Sequence, residues 1–334
     1  MSRILALLLI LIITVLISGA GLLWWSKSSS SPRGTSEPQT FVINPGSSAT
    51  TIGKNLEKDG FIKSSSAFKL FMQFSGNAGK IQAGDYRLSK NQFLPELVRE
   101  LVKGPVAVWV TIPEGYRREE IGQTTVDALK LIGDKKTQFL KEFDVLTKRE
   151  EGFLFPDTYL FFRNASASAV VSRFTNNFES KISDEILKSA EKQNLNRDEL
   201  ITLASIIERE TRTDEERPVV AGILLKRLRV GMALQVDATL QYIVGSGECE
   251  LGSANCNWWP QITSKDKTVR SAYNTYTNTG LPPRPIANPG LSSIKAAANP
   301  EDSEYWFYLH GTDGDIHYAR TSEEHTENIS KFLR

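Results

Sequence analysis

Two glutamates, Glu208 and Glu210, close the segment Ile201–Thr211, ITLASIIERET, behind a run of apolar side chains. A carboxyl group kept partly out of water can hold its proton at neutral pH and pass it to a leaving group. At about 100° per residue, Leu200, Leu203, Ala204, Ile207 and Thr211 share one helix face, with Glu208 at one margin and Glu210 at the other. The two carboxylates therefore point in nearly opposite directions. Spacing alone does not choose between them, and by periodicity both also read as ordinary helix-surface glutamates.

A helix has to carry these acids, and the surrounding pattern supplies one. Helices are predicted near Ala169–Ile182, Asp184–Gln193 and Arg197–Thr211, and a further one, Val219–Arg229, stops at Gly231 in the manner of a C-terminal cap. Asp237, in Leu234-Gln-Val-Asp-Ala-Thr239, is placed to cap a short helix through Tyr242. Lys226, Arg227 and Arg229 read as a solvated helix face. Tyr305–Leu309, Thr312-Asp-Gly314 and Ile316–Ala319 read as strand, turn and strand. The spacing of His310, His317 and His325 fits no standard zinc pattern, so neither a metal nor a cofactor is expected.

Upstream, Val42-Ile-Asn-Pro-Gly46 followed by Ile52-Gly53 echoes Ile112-Pro-Glu-Gly115 followed by Ile121-Gly122. Each is an extended apolar stretch, a Pro/Gly turn and a helix pattern, so two similar βα units are expected. The first continues through a helix over Ser66–Phe74, a strand over Ala83–Leu88 and a helix over Leu94–Val102 ending at Gly104. Such modules serve as polymer-binding units or as plain scaffold, and the pattern does not decide which.

At the start of the chain, Ile4–Trp25 is charge-free and mostly apolar over about 22 residues, enough to cross a hydrocarbon core. Trp24 and Trp25 fall at the level of an interfacial belt, and Lys27 opens a Ser-rich segment through Ser31, Pro32, Gly34 and Pro38. The reading is an anchor and a tether; the alternative is a cleaved secretory signal, for which Ser18 and Ala20 offer a small-residue site. No Cys lies near Ala20, which argues against a lipid-modified N-terminus. Long domains translocate largely regardless of flanking charge, so the bulk of the chain is placed outside the cytoplasm. The composition is ordinary for a globular protein, 40% hydrophobic and 24% charged, with a formal net charge of +1. That balance offers no basic field for nucleic acid. Cys249 and Cys256 share a Gly- and Asn-containing loop, where they either close as a disulfide in an oxidising compartment or remain free thiols.

Five segments occur in a telling order: Leu203-Ala-Ser-Ile-Ile-Glu208-Arg-Glu-Thr211, Leu225-Lys-Arg-Leu-Arg-Val-Gly-Met232, Leu234-Gln-Val-Asp-Ala-Thr239, Tyr273-Asn-Thr-Tyr276 and Gly280-Leu-Pro-Pro-Arg-Pro-Ile286. Together with Val110-Thr-Ile-Pro-Glu-Gly115 and Glu151-Gly-Phe-Leu-Phe-Pro-Asp-Thr-Tyr159, they resemble the YceG-like family of endolytic murein transglycosylases. The resemblance covers nearly the whole chain outside the tether and implies an α+β protein. Residues 1–3 would be a cytoplasmic N-terminus, 4–25 a transmembrane anchor and 26–40 a flexible tether. Residues 41–105 would form a LysM-like glycan-binding βα subdomain, and 106–334 a mostly helical catalytic domain with a small β portion. It further implies a single pass through the inner membrane, the catalytic part facing the periplasm, and a catalytic glutamate at Glu208. Two departures stand out: Arg284 occupies a position of the Pro-rich loop where the family usually has Gly, and the insert carrying Cys249 and Cys256 is peculiar to this chain.

The chemistry implied is lytic. Glu208 would protonate the glycosidic oxygen between N-acetylmuramic acid and N-acetylglucosamine, then take the proton from the muramic C6 hydroxyl as that oxygen closes a 1,6-anhydro ring on C1. Gln235 and Asp237 are candidates for hydrogen bonds to sugar hydroxyls or acetamido groups, helix capping being the alternative for Asp237. Tyr273, Asn274 and Tyr276 offer a stacking face and amide hydrogen bonds, the alternative being a polar turn with its aromatics packed inward. The partners expected are peptidoglycan glycan strands, the membrane through the N-terminal helix, and peptidoglycan synthases. Cutting nascent strands at the membrane surface would terminate their elongation. The rival reading is a noncatalytic peptidoglycan-binding adaptor that recruits cell-wall synthases.

Overall fold

The computed structural model describes residues 3–32, 34–77, 79–253 and 256–333, with backbone alone for 3–9. Met1 and Ser2, at the expected cytoplasmic end, lie outside the described residues. The chain forms two compact units, Met1–Trp109 with Leu160–Arg163, and Val110–Tyr159 with Asn164–Arg334.

The first unit opens with α1 (Arg3–Ser29), about 40 Å long at 1.5 Å per residue. Its Ile10–Ser29 stretch is apolar enough to cross a membrane. Its Leu22 and Leu23 are 70% and 75% exposed. Beyond it come β1 (Gln39–Ile43), α2 (Ala49–Lys58), α3 (Ser65–Phe74), β2 (Gly84–Leu88), α4 (Leu94–Lys103) and β3 (Ala107–Thr111). Ser48 and Ser64 start α2 and α3 by accepting the Thr51 and Ala67 N–H groups. β1 pairs antiparallel with β2, Phe41 opposite Tyr86, and β2 pairs antiparallel with β3. With β4 (Thr158–Phe162) they complete a sheet of order β1-β2-β3-β4. Strand alternation turns Phe41, Ile43, Tyr86 and Leu88 onto Leu56, Phe68, Leu97 and Leu101 of the helices. The Ser-rich stretch after α1 is held locally: Lys63 Nζ donates to Ser30 Oγ at 2.7 Å, and Ser89 Oγ to the Ser36 carbonyl at 2.9 Å.

In the second unit follow α5 (Arg118–Leu129), α6 (Gly133–Thr147), α7 (Ala167–Lys181), α8 (Asp184–Lys192), α9 (Arg197–Glu210) and α10 (Glu216–Arg229). After these come α11 (Asp237–Glu248), α12 (Leu291–Ala298), β5 (Phe307–His310), β6 (Ile316–Ala319) and α13 (Ser322–Phe332). The spine is α9. Its first turn is closed by a reciprocal cap, Asn196 Oδ1 accepting from Glu199 N at 3.0 Å and Glu199 Oε2 from Asn196 N at 2.9 Å.

Periodicity predicts one apolar face for this helix, whereas the structure buries every residue from Leu200 to Ile207. The reason is tertiary: α8, α10, α11 and α12 all pack around it. Thr202 and Ser205 tolerate burial because their hydroxyls donate to the Asp198 and Thr202 carbonyls. Only the last turn, Glu208 to Glu210, emerges half-buried.

Other expectations need correction. Asp237 is the first residue inside α11, not its cap: Val236 holds the cap position, and the helix runs on to Glu248 rather than ending at Tyr242. Arg227 is no solvated side chain but is 5% exposed, donating to the carbonyls of Leu234 and Trp306. Beyond α11, Cys249 and Cys256 are joined as a disulfide with their Cα atoms 5.8 Å apart.

Candidate functional site

Three loops meet at the exposed end of α9, and one buried amide ties them together. Asn288 Oδ1 accepts from the N–H groups of Gly152 and Leu154, each at 2.9 Å. Its Nδ2 donates to the Tyr116 carbonyl at 2.9 Å and to Glu151 Oε1 at 2.8 Å. The backbone adds Gly115 N–H to the Asn288 carbonyl and Asn288 N–H to the Tyr116 carbonyl, both 2.9 Å. Every donor and acceptor of this side chain is thus engaged, which is what allows it to be fully buried. Glu151, buried next to Glu119, is pushed well above the ordinary carboxylate range by desolvation and by that neighbouring charge. The loops 113–116, 151–154 and 286–290 are set by these bonds.

Glu208 lies where they converge. Its side chain is 7% exposed; Oε2 accepts from Gly290 N–H at 2.9 Å and Oε1 pairs with Arg217 Nη2 at 3.4 Å. Gly290 is the N-cap residue of α12, so the carboxylate faces a helix N-terminus as well as a guanidinium. Arg217 is itself placed by Ser293 Oγ and by Asp214, at 2.9 and 2.6 Å. Glu114 comes alongside: a Cβ on Gly290 would overlap its carboxyl group, so position 290 has no room for a side chain. Gly115, at φ 76°, turns the backbone against the Glu208 stem. Desolvation first, then the charge of Glu208, raises Glu114 above its ordinary value, with Arg217 opposing.

Arg209 extends away from this pair and stacks 3.8 Å from the centre of the Trp259 ring. That half-buried indole is oriented by its Nε1–H to Glu120 Oε2, 3.0 Å, and offers the kind of flat face on which a sugar ring stacks. A cavity of about 660 Å³ has Asp214, which pairs with Arg217, in its wall together with Pro218, Leu291 and Ser292, and its lining includes neither Glu208 nor Glu114. A second cavity, about 720 Å³, is lined by Arg118, Lys136, Lys141, Tyr242 and the disulfide loop and contains neither Glu208 nor Glu114.

Glu210 occupies a different world two residues away. Its Oε2 accepts from Tyr308 OH at 2.9 Å, and the Ala238 N–H also points at it. Desolvation, only partly offset by the Tyr308 hydrogen bond, pushes it up to about 7. The Tyr308 hydroxyl is raised in turn by burial and by the charge of Glu210.

Of the polar residues singled out from sequence, Asp237 and Tyr276 gather on this Glu210 side, where Tyr276 OH donates to Asp237 Oδ1 at 2.6 Å. Gln235 is exposed, holds φ 53° and has its N–H on the Thr275 carbonyl at 3.0 Å. Tyr273 lies 5.0 Å from Tyr242, ring centre to ring centre. Asn274 is fully buried, its amide donating to the Lys267 and Val269 carbonyls of its own loop. Arg284 donates to the Arg149 carbonyl. Around Glu208 the structure instead assembles Glu114, Arg217, Gly290, Arg209 and Trp259, to which no site role follows from the sequence. The one signal for Glu114 is that the second of the two echoed Pro/Gly turns, Pro113-Glu-Gly115, carries a glutamate where the first, Pro45-Gly46, has none; for Arg217 and Trp259 no periodic pattern points to the site.

The fold and site define an α+β protein whose candidate site is a shielded carboxyl at the end of a buried helix, with a second carboxyl beside it. Residues 41–331 match the YceG-like family, and the chain belongs to that family. It is similar to the endolytic murein transglycosylase of Bacillus subtilis (strain 168), 32% identical over 339 residues, covering 94% of this chain and 90% of that one. The endolytic murein transglycosylase of Streptococcus pneumoniae serotype 2 (strain D39 / NCTC 7466) is 28% identical over 88% of this chain, which spans 58% of that protein. Among solved structures, a yceG-like protein from Listeria monocytogenes superposes with a TM-score of 0.57 at 29% identity, covering 88% of this chain and 99% of that one.

Proposed function

We propose that the chain is a membrane-anchored endolytic lytic transglycosylase, cutting the β-1,4 bond between N-acetylmuramic acid and N-acetylglucosamine in nascent glycan strands. The observation that carries this reading is Glu208: a carboxyl with a 7% exposed side chain, at a loop junction, bonded to Arg217 and the Gly290 N–H, at the position where the family motif has its acid. A proton from Glu208 to the glycosidic oxygen makes the leaving alcohol neutral while positive charge builds at C1. The same carboxylate then accepts the C6 hydroxyl proton as that oxygen attacks C1, leaving a 1,6-anhydro end and consuming no water. Shielding the carboxyl from solvent favours this internal attack over hydrolysis. The face of Trp259, backed by Arg209, is suited to hold a sugar ring beside it.

The β1–α2–α3–β2 portion is read as a LysM-like glycan-binding subdomain, supported by its small two-helix, two-strand build. The α1 helix is read as the anchor, and the Cys249–Cys256 disulfide supports an oxidising, periplasmic setting for the rest. Held at the membrane, such an enzyme would meet strands as synthases release them, and its cut would end their growth.

The deciding experiment incubates the full chain in detergent with purified uncrosslinked glycan and identifies products by mass spectrometry. Anhydro-ended fragments that disappear in Glu208→Gln, while glycan is still bound, are the expected result. Reducing ends would mean hydrolysis. Binding without any cleavage in the unaltered chain would favour the adaptor that recruits synthases.

A further inference from the structure

Gly290 brings two acids together that are far apart in the chain. Its N–H is bonded to Glu208 Oε2 at 2.9 Å, and the space where its Cβ would stand is filled by the carboxyl of Glu114. From the other side, a Cβ on Gly115 would lie 3.5 Å from Glu208 Cγ and 3.3 Å from Arg209 Nη1. Their hydrogen bonding differs sharply. Glu208 has the Gly290 N–H and Arg217, both donors, which is the setting of an ionised carboxylate. Glu114 accepts no hydrogen bond from any described residue; the charges that face it are Glu208, Asp214 and Arg217, with Arg209 beyond Gly115. A charge on Glu208 opposes ionisation of Glu114, and a proton shared by the two settles on the one that lacks donors.

Resting on the transglycosylase reading above, we propose that Glu114 and Glu208 share one proton, held at rest by Glu114, and that Glu114 passes it to Glu208 for delivery to the glycosidic oxygen. The cycle balances. Glu114–COOH and Glu208–COO⁻ become Glu114–COO⁻ and Glu208–COOH; the proton then moves to the glycosidic oxygen as its bond to C1 breaks. Glu208–COO⁻ takes the proton of the C6 hydroxyl as the new O6–C1 bond forms, and returns it to Glu114. Glu114 acts through Glu208 and is therefore a positioning residue, supplying the proton that the donors around Glu208 discourage it from keeping.

The test measures kcat and KM across pH for the full chain in detergent, with uncrosslinked glycan as substrate. In Glu114→Gln, kcat at neutral pH should fall about tenfold or more with KM within about twofold, and the alkaline limb should move to lower pH by about one unit. Glu114→Asp should restore the limb. Gly290→Ala, which keeps both acids but displaces the Glu114 carboxyl, should shift the limb in the same direction and decides the matter should Glu114→Gln fail to fold. An unshifted limb and unaltered kcat in these variants would overturn the proton-sharing pair. If Glu208→Gln is inactive in the same series, the enzyme reading survives that result; if it remains active, the enzyme reading itself is lost.

Discussion

The last turn of α9 carries two glutamates whose surroundings have almost nothing in common. Glu208 meets a guanidinium, a helix N-terminus and another carboxyl, next to open space. Glu210 meets a tyrosine hydroxyl and a backbone N–H, with Asp237 and Tyr276 nearby. Desolvation raises the Glu210 carboxyl to about 7. The contrast teaches that shielding alone does not mark a reacting acid. What distinguishes Glu208 is that its partners are a guanidinium, a backbone N–H and a neighbouring carboxyl at a junction of three loops.

Four measurements would break or sharpen that contrast. The largest effect belongs to Glu208→Gln, which should lower cleavage by about 10²–10⁴-fold with little change in melting temperature. Glu210→Gln, assayed near pH 6, should cleave within a few-fold of the unaltered chain; equal losses in the two variants would erase the distinction.

Next comes a pH effect on stability. Glu210 stands at about 7 in the folded chain against an ordinary 4.5, so the folded state holds a proton that the unfolded chain releases. Stability should be highest below about pH 4.5, fall by roughly 3 kcal/mol up to about pH 7 and stay level above. Denaturant titrations at several pH values should show a decline between pH 4.5 and 7 that is smaller by about that amount in Glu210→Gln, Glu114 and Glu151 supplying the remainder. A decline undiminished by the substitution would assign it to another group.

Smaller is the disulfide. Replacing both Cys249 and Cys256 by Ser should cost about 2 kcal/mol, the value for so short a loop, measured by urea denaturation, and should leave cleavage in place because the loop lines the cavity remote from Glu208. The smallest is Tyr308→Phe, about 1 kcal/mol. Removing a donor that favours the charged form should raise Glu210 further, visible in its carboxyl NMR titration; a downward move would contradict the cluster described.

Much of the scaffold was legible in the chain. The helix from Arg197 ends one residue before the predicted limit, Leu94–Lys103 stops at Gly104, and the hairpin at Phe307–Ala319 falls where turn residues and alternation place it. Periodicity and capping act over a few residues, so they can be read locally. The depth of α9 could not be, because four helices from elsewhere in the chain enclose it. Arg227 misled for a related reason: its position on a basic helix face says nothing of the carbonyls of Leu234 and Trp306 that receive it. The meeting of Glu114 with Glu208 depends on Asn288, Gly115 and Gly290, residues whose type announces a turn without saying what it turns toward.

The amide that knots the three loops carries its own safeguard against ageing. Asparagine degrades when the nitrogen of the following residue attacks its side-chain carbonyl and forms a five-membered imide. The residue after Asn288 is Pro289, whose nitrogen bears no hydrogen and cannot complete that ring as a neutral product. A keystone held by four-way bonding is thereby also chemically durable.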